Sequence, residues 1–431
     1  MMTKNQINER EQLEMLTIDQ LVPKDHLVRK LEAAIDFSFI YPLVENLYSA
    51  NGRPSIDPVV LFKMTFIQYV FGRSMRQTIK EIETNMAYRW FLGFGFHTEV
   101  PHFSTFGKNY VRRYQDTDVF EQIFYRILKE IMHQGLLHAD HLFIDSTHVK
   151  ASANKRKYDK KVVRKETRAY EEKLQIELNI DREEHGKKPF PLEKFEKEEW
   201  KEIKESTTDP ESGYYVKDER TKQFAYSFHA ATDEKGFVLG AIVTPGNVHD
   251  SHVLQPLVEK VIQNVQKPLA VAADAAYKTP AITNYLLENQ MLPVLPYTRP
   301  KTKDGFFRKH EYMYDEHYNC YLCPEGQIPL ICAKCPSLSQ CTEGKNHQKL
   351  IQRHIWESYV EEAEHLRHAY DIKQIYAKRK ETIERVFADA KEKHGMRWTT
   401  LRGLKKLSMQ AMLTFAAMNL KKLATWMWQT T

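Results

Sequence analysis

The prediction of the fold starts from ten residues, His141-Leu142-Phe143-Ile144-Asp145-Ser146-Thr147-His148-Val149-Lys150. Its apolar run at residues 142–144 is short enough for a buried strand and leads directly to one carboxylate, Asp145. Hydroxyl groups follow, and then bases at Lys150 and Arg156. A strand that ends on an acid beside cations indicates a place where a metal ion and phosphate could meet. The alternative is a strand whose last residue, Asp145, only starts a turn.

A second apolar run with the same ending lies far along the chain. Residues 268–273 lead to Asp274. Between the two acids, residues 224–231 and 237–244 have strand composition and are joined by a short turn, which predicts a hairpin. If the strand before Asp274 runs parallel to the strand of Asp145, the two acids lie at the same end of adjacent strands. This order predicts an α/β fold, a ribonuclease-H-like mixed sheet flanked by helices.

A third acid lies on a predicted helix near the end of the chain. The helix has an apolar stripe made of Ile383, Val386, Phe387 and Ala390. Glu384 borders this stripe, so it can face the sheet while its carboxylate stays polar. Lys391 comes nearly two turns later and shares the face of Glu384, and Lys380 lies one turn before it. An acid between two bases suits a metal ligand flanked by phosphate contacts, although ordinary helical ion pairs give the same pattern.

The first 115 residues are predicted to form a helical domain. Residues 59–71 are apolar on most sides, and the preceding Asp57-Pro58 favours a helix start. A turn, a second helix and then a basic helix after Ser104 follow. That basic helix carries Lys108, Arg112 and Arg113. The succession is compatible with helix-turn-helix DNA binding, and a plain helical domain with a solvated basic face is the alternative.

The rest of the chain, residues 116–431, is predicted to be the catalytic domain with two insertions. Residues 151–222 are strongly charged, and a helical period in part of this segment predicts a solvated helical insertion, most simply a helix pair. Residues 301–355 form a Cys-rich insertion that contains all five cysteines of the chain. These two segments would leave the catalytic fold and return to it.

Two clusters are candidate metal sites outside the strand acids. In the Cys-rich insertion the spacing suits tetrahedral zinc, with four candidate ligands, Cys320, Cys323, Cys332 and Cys335. Reduced thiols in a surface loop are the alternative. His249, Asp250 and His252 form a second cluster, for which helix capping by Asp250 is the simpler interpretation.

Composition limits the class of protein. The chain has 431 residues, with 63 Lys and Arg against 57 Asp and Glu, and its formal net charge is +6. It is long enough for two or three domains, and the basic excess permits a polyanionic partner without requiring one. Residues 1–12 lack the apolar core of a signal peptide, and the apolar run 409–420 is too short to span a bilayer. We expect a cytoplasmic protein with no membrane partner.

Several motifs spread over the chain form one set. In the first 115 residues they are Gly52-Arg53-Pro54-Ser55-Ile56-Asp57-Pro58, Tyr88-Arg89-Trp90-Phe91-Leu92-Gly93 and Ser104-Thr105-Phe106. Later they are Ile144-Asp145-Ser146-Thr147, Thr244-Pro245-Gly246-Asn247-Val248-His249-Asp250-Ser251, Ala273-Asp274-Ala275-Ala276-Tyr277 and Ile383-Glu384-Arg385-Val386-Phe387. Together they make the chain resemble bacterial insertion-sequence transposases of the DDE type, close to the insertion-sequence-1182 group within the insertion-sequence-5-like assemblage.

The resemblance implies an activity and a catalytic triad. Asp145, Asp274 and Glu384 would be the catalytic carboxylates and would hold two Mg²⁺ or Mn²⁺ ions. The reaction would cleave the ends of an insertion sequence and transfer the strands to target DNA. The Glu-x6-Lys spacing of these transposases is met by Glu384 and Lys391.

One signature of these transposases, the run Tyr-x2-Arg-x3-Glu, is imperfect in this chain. Tyr376 and Lys380 are the nearest equivalents of its first two members. Two alternatives to a transposase therefore stay open. The first is a ribonuclease-H-like nuclease that cuts without joining, and the second is an inactive DNA-binding relic or regulator.

The resemblance also implies the partners. Double-stranded DNA would be bound at the terminal inverted repeats and at the target, by a homodimer associated with the nucleoid. The N-terminal helices would read the repeats, with affinity that falls steeply in salt. The bases expected to contact DNA are Lys108, Arg112, Arg113, Lys150, Arg156, Lys380, Lys391, Arg397 and Arg402.

Overall fold

The structure is a computed structural model that describes most of the chain. The described residues are 13–49, 51–52, 54–164, 171–191, 200–219, 221–297, 302–315, 317–318, 320–325, 335–347, 349 and 351–430. The chain divides into two compact units. The first unit comprises Met1–Glu166, Glu198–Ala272 and Ala377–Thr431, and the second comprises Thr167–Lys197 and Ala273–Tyr376. Within the described ranges, no helix combines the length and the apolar character needed to cross a membrane.

The α-helices of the described residues are numbered in chain order. They are α1 (Ile18–Leu21), α2 (Leu27–Ala34), α3 (Ile40–Val44), α4 (Pro58–Val70), α5 (Met75–Thr84), α6 (Met86–Phe91), α7 (Ser104–Asn109), α8 (Val119–His133), α9 (Glu171–Glu184), α10 (Leu254–Asn264), α11 (Pro280–Glu288), α12 (Leu338–Cys341), α13 (Glu357–Leu366), α14 (Tyr370–Ala377), α15 (Ile383–Lys393) and α16 (Leu404–Thr430). Short 3₁₀ turns, among them Asp250–His252, Ala275–Tyr277 and Lys378–Lys380, connect several of them.

The strands are numbered in the same way. They are β1 (His141–Lys150), β2 (Tyr158–Arg164), β3 (Trp200–Ser206), β4 (Gly213–Val216), β5 (Lys222–Thr232), β6 (Val238–Pro245), β7 (Ala270–Ala272), β8 (Leu292–Val294), β9 (Met313–Asp315) and β10 (Cys320–Leu322).

Helices form the N-terminal part of the first unit, as the sequence predicts. The start of α4 follows from local chemistry, because the Asp57 carboxylate accepts a hydrogen bond from the Val59 amide at 2.7 Å and Pro58 occupies the first turn. The predicted basic helix is less regular than expected. It is α7 followed by a π-helical turn, Tyr110–Tyr114.

In the first unit, β1, β4, β5, β6 and β7 belong to one mixed sheet. β5 pairs antiparallel with β1, β4 and β6, and β7 pairs parallel with β1, with Phe143 opposite Ala272. The turn between β5 and β6 contains Gly236, whose φ of +73° favours glycine. The predicted hairpin is therefore confirmed, and so is the broader prediction of a mixed α/β fold.

Helices cover this sheet. α10 packs on β5 and β6, and α15 packs on β1 and β5. α16 packs on β6 and also on α2, α4 and α8. Aromatic side chains from three of these elements, Phe143, Phe228 and Phe415, are fully buried. The last helix therefore completes the core of the sheet and the core of the N-terminal helices at once.

The end of β1 differs from the prediction. The strand does not stop at Asp145 but continues to Lys150, because residues 145–150 pair with β5 from Ala230 to Ala225. The apolar run ends at Ile144, so hydrophobicity alone marks only the first part of the strand. The backbone pairing with β5 is a tertiary contact that the local sequence does not reveal.

The charged segment 151–222 also differs from the prediction of a helix pair. Among its described residues, α9 is the only α-helix, and β2 pairs antiparallel with β3. Ion pairs cross this two-stranded ladder, with Lys160 2.9 Å from Glu202 and Lys161 3.0 Å from Glu205. The charges that suggest a solvated helix therefore belong in part to a solvated ladder.

The second unit is mainly helical and also contains the hairpin of β9 and β10. α11 packs on α13. In α9, the Lys173 ammonium donates a hydrogen bond to the Asn284 side chain of α11 at 2.9 Å, and Glu177 accepts one from the buried Trp356 indole. These contacts attach α9 to the helices of its own unit.

Candidate functional site

Asp145 lies in the middle of the central strand, β1, beside a buried cation. Its Oδ1 accepts a hydrogen bond from the Ser146 amide at 2.8 Å. Its Oδ2 lies 3.1 Å from Nη2 of Arg379, whose side chain is only 6% exposed, against 19% for Asp145. Arg379 belongs to the 3₁₀ turn just before α15. The fold therefore places a guanidinium group directly on this carboxylate.

Sequence reasoning missed Arg379. The prediction assigned the base of the Tyr-x2-Arg signature to Lys380, but Lys380 is exposed and its neighbour makes the buried contact. The signal was present, since Tyr376 and Arg379 have the Tyr-x2-Arg spacing. Lys380 lies one helical turn before Glu384 in a continuous helix, but the 3₁₀ turn at residues 378–380 changes that phase.

A second cation, Lys391, lies near Asp145. Burial and the nearby Arg397 lower the pKa of Lys391, and the negative charge of Asp145 opposes that shift. The backbone after α15 also runs beside the end of β1. The Lys150 amide donates to the Arg397 carbonyl at 3.3 Å, and the Thr399 amide donates to the Lys150 carbonyl at 3.0 Å. The structure therefore places Lys391 near Asp145, and it places Arg397 near Lys391 and beside the end of β1, where Lys150 lies.

Glu384 lies on α15, and its side chain is exposed. The neighbouring apolar stripe is buried as predicted, and the role of Glu384 as a site acid stays a prediction. The stripe residues on either side, Ile383 and Val386, occupy the sheet-facing side and leave Glu384 at its outer edge. Glu384 and Lys391 share one face and are separated by about 10 Å along the helix axis, at 1.5 Å per residue.

Asp274 belongs to the second unit, where its contacts are local. It follows the end of β7 by two residues and caps the 3₁₀ turn Ala275–Tyr277. Its Oδ1 accepts a hydrogen bond from the Ala276 amide at 2.9 Å. The structure therefore gives Asp274 the geometry of a turn-capping acid.

Ser146, the residue after Asp145 on β1, lies beside a buried histidine, His229. Ser146 donates from Oγ to Asp250 at 2.9 Å, and Ser146 pairs in register with His229 of β5. His229 is fully buried, and burial lowers its pKa to about 3. Its Nε2 is 2.9 Å from the Thr244 hydroxyl, and its Nδ1 is 3.7 Å from Asp250. Neutral His229 therefore lies on the strand beside Asp145, opposite the residue that follows it.

The prediction that Asp250 caps a helix is wrong. The capping group of the turn Asp250–His252 is the preceding residue, His249, whose Nδ1 accepts a hydrogen bond from the Ser251 amide. Asp250 instead contacts Ser146 of β1. Capping rules identify the polar run but do not determine which member faces the strand.

The other predicted DNA-binding bases lie apart from Asp145 in their contacts. Lys108, Arg112 and Arg156 are exposed. Arg113 donates to the Asn109 side chain and lies 4.3 Å from the centre of the Tyr48 ring, so it takes part in packing. The exposed Arg402 donates from Nε to the Ser152 carbonyl at 3.2 Å.

Three cysteines of the second unit, Cys323, Cys335 and Cys341, line one small pocket. The Cys341 sulfur is 3.2 Å from the Tyr312 hydroxyl, which lines the same pocket. Cys320, in β10, is not among the lining residues. The fourth predicted zinc ligand, Cys332, lies outside the described residues. The predicted zinc site therefore stays a prediction, and its expected ligand set does not include the Cys341 that the structure adds to the cluster.

Within the described parts of the chain, no group of three or more His, Cys, Asp or Glu side chains is arranged to hold a metal ion. The chemistry of the predicted ligands nonetheless fits magnesium, because carboxylate oxygens are the hard donors that this ion prefers. In the structure, the Asp145 carboxylate has the guanidinium of Arg379 as its cationic partner.

Comparison with known families gives two matches. Residues 16–112 match a transposase domain (DUF772), and residues 308–424 match a transposase DDE domain. The second match includes Arg379, Glu384 and Lys391, whereas Asp145 and Asp274 lie outside both. Comparisons with curated proteins and with solved structures find no match. The two matched domains indicate a transposase and support an enzyme of the DDE type.

Proposed function

We propose that this chain is a DNA transposase that cleaves insertion-sequence ends and transfers the strands to target DNA by metal-dependent phosphoryl transfer. Asp145, Asp274 and Glu384 are its catalytic carboxylates, and it is similar to the insertion-sequence-1182 group. The observation that carries the proposal is the position of Asp145, on the central strand of a mixed sheet with Arg379 and Lys391 beside it. An acid between cations is suited to a metal and to phosphate.

Strand order supports a ribonuclease-H-like catalytic domain. In the first unit the order is β6, β5, β1 and β7, with antiparallel pairs followed by the parallel pair of β1 and β7. Asp145 comes two residues after Phe143, and Asp274 comes two residues after Ala272, which pairs with Phe143. Each acid therefore comes two residues after one member of the same strand pair, and this equivalent position supports an equivalent role for the two acids.

Two Mg²⁺ or Mn²⁺ ions, when bound, supply the activation of water or a 3′-hydroxyl and the stabilisation of the leaving oxygen. Asp145, Asp274 and Glu384 are the residues that would hold them. Arg379 orients the Asp145 carboxylate through the buried ion pair. Lys391, with Arg397 beside it, binds phosphate oxygens of the strand near the cut, and Lys150 binds them at the end of β1.

Double-stranded DNA is the partner in this proposal. Lys108 and Arg112 on the first matched domain contact the terminal inverted repeats, and the protein acts as a homodimer on the two ends of the element. Arg156, Lys380 and Arg402 contact the backbone further from the cut. Such a protein works where the chromosome lies, in the cytoplasm at the nucleoid.

One observation favours a second candidate, a DNA-binding protein without catalysis. The Arg379 guanidinium already compensates the charge of Asp145. A carboxylate whose charge is already compensated binds a divalent cation more weakly than an unpaired one. The two candidates therefore differ in whether Asp145 binds a metal ion while its ion pair with Arg379 is in place.

The deciding experiment uses the full chain and duplex DNA from the boundary of its own coding region, with Mg²⁺. The transposase proposal requires cleavage at the boundary and joining of a pre-cleaved 3′ end to a second duplex. Asp145→Asn should abolish both and leave DNA binding intact. Binding without cleavage by the wild type would establish the second candidate, and cleavage without joining would identify a nuclease.

A further inference from the structure

A cleft rich in basic residues lies on the first unit, away from the contacts of Asp145. It is formed by α15, α16 and the turn between β5 and β6, and we name it the basic cleft. Its cationic residues are Lys235, Arg385, Lys393, Lys421 and Lys422, and its acidic residues are Glu381 and Asp389. The cations therefore outnumber the acids, and the cleft has a net positive charge at neutral pH.

Two adjacent lysines of α16 form the inner wall of the basic cleft. Both are partly buried, and burial lowers the pKa of Lys421 and of Lys422. The positive charge of Lys393 lowers the pKa of Lys421 further. Lys422 is held in place, because its ammonium donates to the Lys235 carbonyl and lies 4.9 Å from the Phe237 ring and 5.0 Å from the Trp426 ring. The fold thus concentrates positive charge where it is partly desolvated.

Internal acids compensate only part of this charge. Asp389 forms an ion pair with Lys393 at 2.8 Å. The charges of Asp233 and Asp389 act on Lys422, and the charge of Asp389 acts on Lys421, in each case against the effect of burial. An anion bound between Arg385 and Lys421 would offset the remaining repulsion, and a phosphate group has the oxygen acceptors that guanidinium and ammonium groups bind.

The position of the basic cleft on α15 identifies the source of the phosphate. Lys393 comes nine residues after Glu384, two and a half turns, and so lies on the opposite side of the helix. A helix with its side chains is about 10–12 Å across, which corresponds to roughly three nucleotides at 3.4 Å per nucleotide of one strand. A DNA strand near Lys391 therefore has further phosphates within reach of the cleft.

We propose that the basic cleft binds a backbone phosphate of double-stranded DNA, outside the carboxylate site. The proposal rests on the proposed function, since it takes DNA as the substrate. The cleft contacts only the backbone, so its contribution is independent of base sequence and depends on salt. It holds the duplex a few nucleotides away from the reacting phosphate.

The test measures binding of a fluorescent duplex of arbitrary sequence to the full chain in EDTA, over a series of salt concentrations. Arg385→Gln and Lys421→Gln should each weaken binding several-fold and reduce the slope of log K against log salt by about 0.9. Asp389→Asn removes an acid from the same cleft and should tighten binding. Lys129→Gln, an exposed lysine of α8, is the matched control and should change neither quantity.

The variants are expected to change DNA affinity in opposite directions. Misfolding cannot explain this result, because a damaged protein would not bind DNA more tightly. The proposal is overturned if Arg385→Gln and Lys421→Gln bind with wild-type affinity and slope, or if Asp389→Asn weakens binding. It is also overturned if inorganic phosphate occupies the cleft while the variants bind duplex normally. Boundary cleavage in Mg²⁺ is scored separately. A protein that binds through the cleft but never cleaves contradicts the transposase proposal alone.

Discussion

Asp145 and Asp274 follow similar apolar runs, but their surroundings differ in kind. Asp145 is placed by tertiary contacts, since its partner Arg379 is more than two hundred residues away in the chain. Asp274 is placed by its own backbone, two residues away, in a short turn. The first acid depends on a buried charge, and the second depends on a local hydrogen bond.

Acids that follow the same sequence pattern are therefore held in place by two different kinds of interaction. Removal of a local cap costs little, because the turn has few other interactions to lose. Removal of one partner of a buried ion pair costs much more, because the other charge stays buried. If both acids are catalytic, their variants should lose activity alike and lose stability differently.

The largest effect is expected on activity, where the two acids should behave alike. Asp145→Asn and Asp274→Asn should each reduce boundary cleavage in Mg²⁺ by about 10³-fold or more, since loss of even one preorganised charge-stabilising group costs about 10²–10³. Gel analysis of end-labelled DNA measures this. Asp140→Asn, an exposed acid at the turn before β1, is the control and should keep wild-type cleavage. Full activity of Asp274→Asn would separate the two acids and remove Asp274 from the site.

The next effect sharpens the contrast in stability. Arg379→Gln should lower the free energy of unfolding by about 3 kcal/mol, because Asp145 is left without its buried partner. Urea unfolding followed by circular dichroism measures it. The adjacent Lys378→Gln removes a more exposed pair with Glu234 and should cost no more than about 1 kcal/mol. The Arg379→Gln, Asp145→Asn double variant should lose less than the sum of the two single losses, and a simple sum would show that the pair is not coupled.

The region of Asp145 should also respond to pH through His229. Its pKa is about 3 in the fold and about 6.5 in the unfolded chain. Neutral His229 therefore makes its full contribution to the free energy of unfolding above pH 6.5. This contribution is lost as pH falls toward 3, and the loss is roughly 2 kcal/mol at pH 5. Urea midpoints at pH 7 and pH 5 measure the change. His229→Gln should reduce the difference between the free energies of unfolding at pH 7 and pH 5 by that amount. An undiminished difference would show that another group causes the acid sensitivity.

The smallest effect concerns the local cap of Asp274. Asp274→Ala should lower the free energy of unfolding by about 1 kcal/mol at most, because it loses the hydrogen bond to the Ala276 amide. Asp274→Ser should restore that stability, since serine caps well, but should not restore cleavage. Thermal unfolding and the cleavage assay together test this. A loss as large as that of Arg379→Gln would show that Asp274 has a buried partner of its own.

Much of the fold could be predicted from the sequence where one local rule was sufficient. The start of α4 at Asp57, the hairpin of β5 and β6, and the buried stripe of α15 all follow from caps, turns and periodicity. The two acid-bearing runs were found in the same way, and the parallel pairing of β1 with β7 is as predicted.

The rest depends on contacts between distant residues. Pairing with β5 extends β1 to Lys150, beyond the end of the apolar run. The side chain that meets Asp145 is Arg379 rather than Lys380, because a 3₁₀ turn sets the direction. Asp250 reaches Ser146 only when β1 and the turn before α10 are folded together. The local sequence around each of these residues does not determine which distant residue it contacts.

The placement of α16 has a consequence for synthesis on the ribosome. This helix is made more than three hundred residues after α2 and α4, yet it packs on both of them. A product that terminates early, before Leu404, leaves the apolar surfaces of those first helices uncovered. Such shortened products should be cleared by cellular proteases rather than persist as folded proteins.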